Sequence, residues 1–365
     1  MKMHKTLTLV VPSYNMEAYL PRCIGSLGID RLKEVHCHDE ESLADRLDVL
    51  IVNDGSTDKT SEVAHGLEER YSGIVRVIDK KNGHYGSCVN CGLDEASGTF
   101  IKILDADDTF NTEAFESYMR FLVNECESND GGEIDLVFSD FQKVTFDGNP
   151  CEERGSFPHL GKDVYSIEVL SRCGQFLMPA VAYRTERLRQ SNYRQTEGAL
   201  YSDTMWTVTP LCLVRKLRYI PVLLYLYYLG REGQSMDPTV VHANIAHLVK
   251  TRKDIVVQVA RQNKYASDIN KGIVRDLEQK YLVNLYIMFF LKYATDNTIS
   301  LLREMDEELA VLDADMYARL RSVTLPSRRG FHYIRFWQDH KWANRLVGWF
   351  LRCYSPLAQM LGRLR

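Results

Sequence analysis

The stretch Thr99 to Asp108, TFIKILDADD, constrains this chain more than any other. A strand-like, mostly apolar run leads directly into three carboxylates, Asp105, Asp107 and Asp108. The apolar run suits the interior of a sheet, but ionised carboxylates cannot follow it inside without a counter-charge. In an extended backbone side chains alternate between faces, so Asp105 and Asp107 are expected to point the same way from the end of a buried strand. In an open α/β sheet that edge is where ligands bind. The counter-charge this pair of oxygen arms suggests is a hard divalent cation, Mg²⁺ or Mn²⁺, carrying the phosphates of a substrate. Alone, an Asp-x-Asp also reads as an acidic turn capping a helix that starts near Thr112, so its meaning depends on the surrounding pattern.

That pattern alternates strand and helix. Strands are expected at Leu7 to Val11, Leu47 to Asn53, Ile74 to Ile78 and up to Leu104, with helices from Glu17 to Leu27, Lys59 to Tyr71 and Cys88 to Ala96 between them. This is the signature of a parallel, doubly wound sheet. The first, second and fourth strands are each followed by ligand-suited residues: Tyr14 and Asn15, Asp54, and Asp105 with Asp107. No G-x-G-x-x-G follows the first strand and no P-loop motif is present, which argues against a dinucleotide-binding domain and excludes a P-loop. Lys80 to Ser87, KKNGHYGS, reads either as a plain turn or as a loop whose backbone N–H groups approach an anion. The His36-Cys37-His38 cluster is expected to be solvated loop rather than a metal site, and Cys88-Val-Asn-Cys91 to pack in a helix rather than do redox chemistry.

Further on, a helix is expected from Thr112 to Glu125, a strand from Ile134 to Phe138, loop from Asp147 to Gly161, and strands at Leu177 to Tyr183 and Leu217 to Tyr228. Beyond Asp237 the periodicity becomes helical. A second Asp-x-Asp, Asp313 and Asp315, lies in that region and is expected to be exposed helix surface, because helical residues two apart point in different directions.

The chain has 365 residues, with net charge −4, which argues against a general nucleic-acid binder. Nine scattered cysteines argue against a disulfide framework and fit a reducing compartment. No apolar run reaches the length of a membrane span, so the expected location is cytoplasmic. The end of the chain is basic, however: Arg328, Arg329, Arg335, Lys341, Arg345, Arg352, Arg363 and Arg365 face one acid, Asp339, and are interleaved with Trp337, Trp342, Leu346, Trp349, Phe350 and Leu351. Such a stretch suits the interface of an anionic membrane, or else packs on the rest of the chain or on a partner subunit.

Taken together, Pro12-Ser13-Tyr14-Asn15, Val52 to Asp58 (VNDGSTD), Asn82-Gly83, Asn90-Cys91-Gly92 and Asp105 to Asp108 resemble, in order and spacing, the motifs of glycosyltransferase family 2, the inverting GT-A glycosyltransferases. The resemblance spans about residues 5 to 125, and Tyr201-Ser202-Asp203 and Gly230 to Ser235 (GREGQS) look similar to later family segments. Val89 departs from the commoner motif, which has arginine there, so diphosphate contacts need not match.

The resemblance implies an α/β fold: a GT-A, Rossmann-like sheet that binds a nucleotide-diphospho-sugar, over residues 1–238 (donor half about 5–140, acceptor and base half about 141–238), with a helical extension over 239–365. It implies inverting transfer of a sugar from such a donor, most often a UDP-sugar, to a hydroxyl of a glycan or lipid-linked acceptor, in surface polysaccharide or glycolipid synthesis. Donor-binding residues would be Pro12, Tyr14, Asn15, Glu17, Asp54, Asn82, Gly83, Asn90, Asp105, Ala106, Arg231, Gln234 and Ser235, with Asp107 and Asp105 toward the metal. Asp203 would be the catalytic base, although its position also suits a helix N-cap. Lipid-linked acceptors would make docking of residues 328–365 on the inner face of the plasma membrane useful. The rival readings are a non-catalytic nucleotide-sugar scaffold and a nucleotidyltransferase.

Overall fold

A computed structural model describes residues 4–354 apart from 39–40, 129–133, 158–159, 162, 173–176, 232–233, 236, 265, 294, 296–297 and 325–329. The chain forms two compact units, residues 1–234 and 235–365. Each is described by itself.

The first unit is built on a ten-stranded mixed sheet. Its parallel half consists of β1 (Leu7–Ser13), β2 (Leu47–Asn53), β3 (Val75–Asp79) and β4 (Phe100–Ile103) in the order β3-β2-β1-β4. β1 and β2 are apolar almost throughout and buried on every residue, as strands covered on both faces must be. The ordering sets the ends of β2, β1 and β4 side by side: Ser13 pairs with Asn53, and Val10 with Ile103. Beyond β4 the sheet turns antiparallel. β5 (Leu136–Thr145) and β6 (Val181–Arg184) are joined in the order β4-β6-β5, and β7 (Lys216–Leu229) then pairs with β5 in parallel. β7 carries register shifts between Ile220 and Tyr225. Past these irregularities it pairs with the short strand Thr109–Phe110, which delivers its carboxyl end beside the acidic turn.

Several expectations need correction. β4 stops at Ile103, and Asp108 N–H bonds to Asp105 C=O at 3.0 Å. The three aspartates therefore ride on a tight turn rather than on an extended strand, because carboxylates so close in sequence favour turns over a buried ladder. Residues 147–161 are not all loop: Pro150–Gly155 is a strand paired with β5. His36–His38 pairs antiparallel with Glu41–Ser42, and the 3-10 turn Leu43–Arg46 follows under a Ser42–Asp45 capping box. His84 to Ser87 is already the first turn of the helix His84–Glu95, not loop.

Three helices cover the parallel half: α1 (Leu20–Gly25), α2 (Thr60–Arg70) and α3 (His84–Glu95). α3 is seated by glycines. A Cβ on Gly92 would lie 2.5 Å from the Val10 side chain, and one on Gly86 would lie 1.9 Å from the Thr196 carbonyl oxygen. Lys102, in the middle of β4, is fully buried and donates to the carbonyls of Pro179 at 2.6 Å and Val181 at 3.2 Å. It holds the antiparallel half against the parallel half, a role its place in an apolar run does not advertise.

The second unit is helical, from Pro238–Ala243 through Ile245–Gln262, Asp268–Met288, Ile299–Leu312, Ala314–Arg321 and Tyr333–Asp339 to Asn344–Tyr354. Its second Asp-x-Asp is not plain helix surface. Asp313 sits at a break between helices, caps the following one through Met316 N–H, and joins Asp315 in ion pairs with Arg275. Trp337 is fully buried against Tyr286 and Phe290, so part of the basic, aromatic stretch packs inside this unit. Arg328, Arg329, Arg363 and Arg365 lie outside the described residues. Among the described residues no helix is long and apolar enough to cross a membrane.

Two predictions test how the halves are held. Alanine normally stabilises a helix relative to glycine by about 0.5–1 kcal/mol. Gly66→Ala in α2, with nothing within 4 Å, should show that gain. Gly86→Ala should instead lower the melting temperature by several degrees, since its Cβ meets a backbone carbonyl. For Lys102, burial lowers the ammonium to about 7. The unfolded chain keeps that proton up to the ordinary lysine range, so the unfolded state binds more protons between these limits. Stability should therefore rise with pH above about 7, and fall as pH drops back through it, by up to ~1.4 kcal/mol per pH unit. Lys102→Met should flatten that slope in denaturation measured from pH 7.5 to 9.5.

Candidate active site

The turn Asp105 to Asp108 is fastened by its last residue. Asp108 is buried; its carboxylate accepts from the Tyr225 hydroxyl and from Tyr228 N–H, each at 2.7 Å. The Tyr225 hydroxyl in turn accepts from Asp105 N–H at 3.1 Å. Burial, with the charges of Asp107 and Asp105, pushes the Asp108 carboxyl well above the usual range. Asp108 is thus an anchor between the turn and β7, and Ala106 is buried within the turn.

Asp105 and Asp107 are the open members. The Tyr85 hydroxyl, from the first turn of α3, donates to Asp105 Oδ1 at 2.7 Å. Burial first, then the charges of Asp107 and Asp203, raise the Asp105 carboxyl to about 7. Asp107 is held at two points: Arg231 Nε donates to its Oδ2 at 2.8 Å, and Arg22 Nη2 donates to its backbone carbonyl at 2.7 Å. Each arginine lies over an aromatic ring, Arg22 at 4.1 Å from Tyr228 and Arg231 at 5.5 Å from Tyr19.

The neighbouring strand ends form a second cluster. Asp54, nearly fully buried, takes Lys80 Nζ at 2.6 Å and Gly83 N–H at 2.9 Å, both on Oδ1. Its partner in the turn, Gly55, has φ of +69°, and a Cβ there would meet Asn82 N at 3.0 Å, so the Asp54-Gly55 and Asn82-Gly83 turns fit against each other only with glycine. Pro12 is buried within β1 and Tyr14 is 46% exposed at its end. Asn15 accepts from Thr57 N–H and Glu17 from Lys59 N–H, so these two tie the loop after β1 to the loop after β2. Asn90 does the same for α3: its amide donates to Gln195 O and Glu197 and accepts from Gln195 N–H. These three polar side chains, predicted to meet ligand, have structural bonds here.

The segment held by Asn90 leads to Asp203. Tyr201 has a left-handed backbone, φ +64°, and Ser202 precedes a helix whose first residue is Asp203. Asp203 is exposed and is not the cap. Its negative charge raises Asp105 and the phenols of Tyr85 and Tyr227, so it shares one field with the acidic turn. Gln234 closes the turn after β7, with its side chain on Gly230 N–H and Tyr228 O. Glu232 and Gly233 lie outside the described residues, and Ser235 opens the second unit.

Four contributors were not singled out from sequence: Tyr85, Tyr225, Lys80 and Arg22. Lys80 and Tyr85 flank Asn82-Gly83 within KKNGHYGS, a usable signal, whereas Tyr225 is hidden in an apolar run. As for a cation, no three His, Cys, Asp or Glu converge among the described residues. Asp105 and Asp107 nonetheless fit one: two carboxylates in mutual repulsion gain from a divalent charge, and Mg²⁺-type ions take one or two protein carboxylates plus phosphate and water. The Cys88 thiol, pushed up by burial to about 12, is unsuited to redox work.

Comparison with known proteins identifies the family. The family model described as Glycosyl transferase family 2 matches residues 8–178. A Mycoplasma pneumoniae protein, the uncharacterized glycosyltransferase MG025 homolog, is 34% identical over 286 residues, covering 76% of this chain and 85% of that protein. TarS of Staphylococcus aureus, a poly(ribitol-phosphate) beta-N-acetylglucosaminyltransferase, is 23% identical over 64% of this chain and 37% of its own length. The crystal structure of S. aureus TarS 1-349 in complex with UDP-GlcNAc superposes with a TM-score of 0.63 at 18% identity, covering 95% of this chain and 91% of that one, a likeness of fold. The chain belongs to glycosyltransferase family 2 and is a glycosyltransferase of the GT-A fold.

Proposed function

We propose that this glycosyltransferase moves a sugar, with inversion, from a UDP-sugar to a hydroxyl of a glycan or lipid-linked acceptor in the assembly of a surface polysaccharide or glycolipid. The observation that carries the proposal is the shared field of Asp203 and the Asp105–Asp107 pair, with Arg231, from the loop after β7, bonded to Asp107. In this reading Tyr14 packs on the base, and Asp54, positioned by Lys80 and Gly83, accepts the imide N–H of uracil. Asp107, with Asp105, holds Mg²⁺ or Mn²⁺, which when bound offsets negative charge gathering on the departing diphosphate. Arg231 pairs with the diphosphate oxygens. Asp203 takes the proton of the acceptor hydroxyl as its oxygen bonds to the anomeric carbon and the bond from that carbon to the diphosphate oxygen breaks. The UDP-GlcNAc complex of TarS supports UDP-GlcNAc as the first donor to try.

Docking on an anionic membrane is part of the proposal. Trp342, Leu346 and Trp349 are 70%, 38% and 53% exposed; Trp342 lies in the turn before the last described helix, and Leu346 and Trp349 lie three residues apart on that helix. Exposed tryptophans beside Arg345 and Arg352 suit a lipid interface.

With UDP-GlcNAc and a panel of other nucleotide sugars, Asp203→Asn should bind donor as the unaltered protein does but lose at least about 100-fold in transfer. Full transfer by that variant would remove Asp203 from the role of base. In flotation with vesicles containing anionic lipid, the pair Trp342→Ala and Trp349→Ala should lower the bound fraction about ten-fold. Unchanged flotation would reject docking through this face.

A further inference from the structure

Arg231 and a divalent cation call on the same carboxylate. The Arg231 guanidinium donates to Asp107 Oδ2 at 2.8 Å. A cation bound at Asp107 would stand a few ångströms from that guanidinium, where like charges repel strongly in a half-buried site. Arg22 is not in competition. It bonds the backbone carbonyl of Asp107 and is kept there by the Tyr228 ring at 4.1 Å.

The backbone that carries Arg231 is fixed, because Gln234 bridges Gly230 N–H at 3.1 Å and Tyr228 O at 2.9 Å, and Gln234 N–H bonds to Arg231 O at 3.2 Å. The guanidinium itself is at the end of a long side chain, 20% exposed, over the Tyr19 ring at 5.5 Å. It can turn from one acceptor to another without moving its loop. A diphosphate supplies several oxygen acceptors suited to its forked donors.

We propose that Arg231 is an exchangeable counter-ion: it neutralises Asp107 while the site is empty of donor, and passes to the diphosphate when donor and metal arrive. This rests on the reading of Asp107 as a cation ligand. Arg231 then weakens metal binding to the donor-free protein and strengthens donor binding, so the two are linked through one side chain.

The test is Mn²⁺ binding to the full chain in the absence of nucleotide, by calorimetry, with UDP binding measured separately. Arg231→Gln and Arg231→Met, each checked for folding by circular dichroism, should bind Mn²⁺ alone about 10-fold more tightly than the unaltered chain, and should bind UDP with Mn²⁺ at least about 10-fold more weakly. Two outcomes overturn the exchange. In one, the variants bind Mn²⁺ alone no more tightly. In the other, they bind UDP as well as before. Asp107→Asn separates this from the metal assignment. If it leaves Mn²⁺ binding with UDP intact, Asp107 is not the ligand and both readings fall. If it abolishes that binding while Arg231→Gln leaves Mn²⁺ alone unchanged, only the exchange is lost.

Discussion

The buried Asp108 carboxylate is the contact on which the candidate site depends. A carboxylate in the interior must have its lone pairs satisfied, and here one strand does it: Tyr225 through its hydroxyl and Tyr228 through its N–H. Because those residues belong to β7, the turn carrying Asp105 and Asp107 is fixed to a strand more than a hundred residues further along the chain. The same strand continues into Gly230 and Arg231, so the anchor also sets where the guanidinium meets Asp107. One satisfied acid thereby aligns the parallel half of the sheet, its antiparallel half and Arg231.

A second principle is that much of the polar sequence around the site braces loops against one another. Asn15 and Glu17 bond N–H groups after β2, Lys80 and Gly83 bond Asp54, and Asn90 bonds the segment leading to Asp203. Loops at the end of a sheet have backbone groups with no ladder to join, and these side chains satisfy them. The result is a braced surround for the groups to which the proposed function gives chemistry: Asp105, Asp107, Asp203 and Arg231. Tyr85 belongs to the same design, since it donates to Asp105 and stands in the field of Asp203.

Much of the first unit was legible in the linear chain. Strand–helix alternation and the apolar runs at Leu7, Leu47 and Phe100 follow from periodicity, which burial on both faces of a parallel sheet imposes directly. The helical character after residue 237 was equally plain. Less legible were features fixed by partners remote in sequence. The Pro150–Gly155 strand exists because β5 offers it an edge, and the Asp313–Asp315 pair is drawn together by Arg275, which no local rule anticipates. Trp337 looked like its aromatic neighbours but is buried against Tyr286 and Phe290, while Trp342 and Trp349 are exposed.

At the acidic motif itself the division is clear. Local sequence decided that three carboxylates would follow a buried strand, since an apolar run must enter a sheet and charges must leave it. It also decided that the ends of β1, β2 and β4 would share one edge, through the handedness of parallel crossovers. Only the folded chain decided that the carboxylates ride on a turn, that Asp108 is the anchor, and that Arg231 faces Asp107. Those outcomes depend on β7 arriving beside the turn, and a bond between residues 108 and 225 has no local signature, because its energy is realised only when both are buried together.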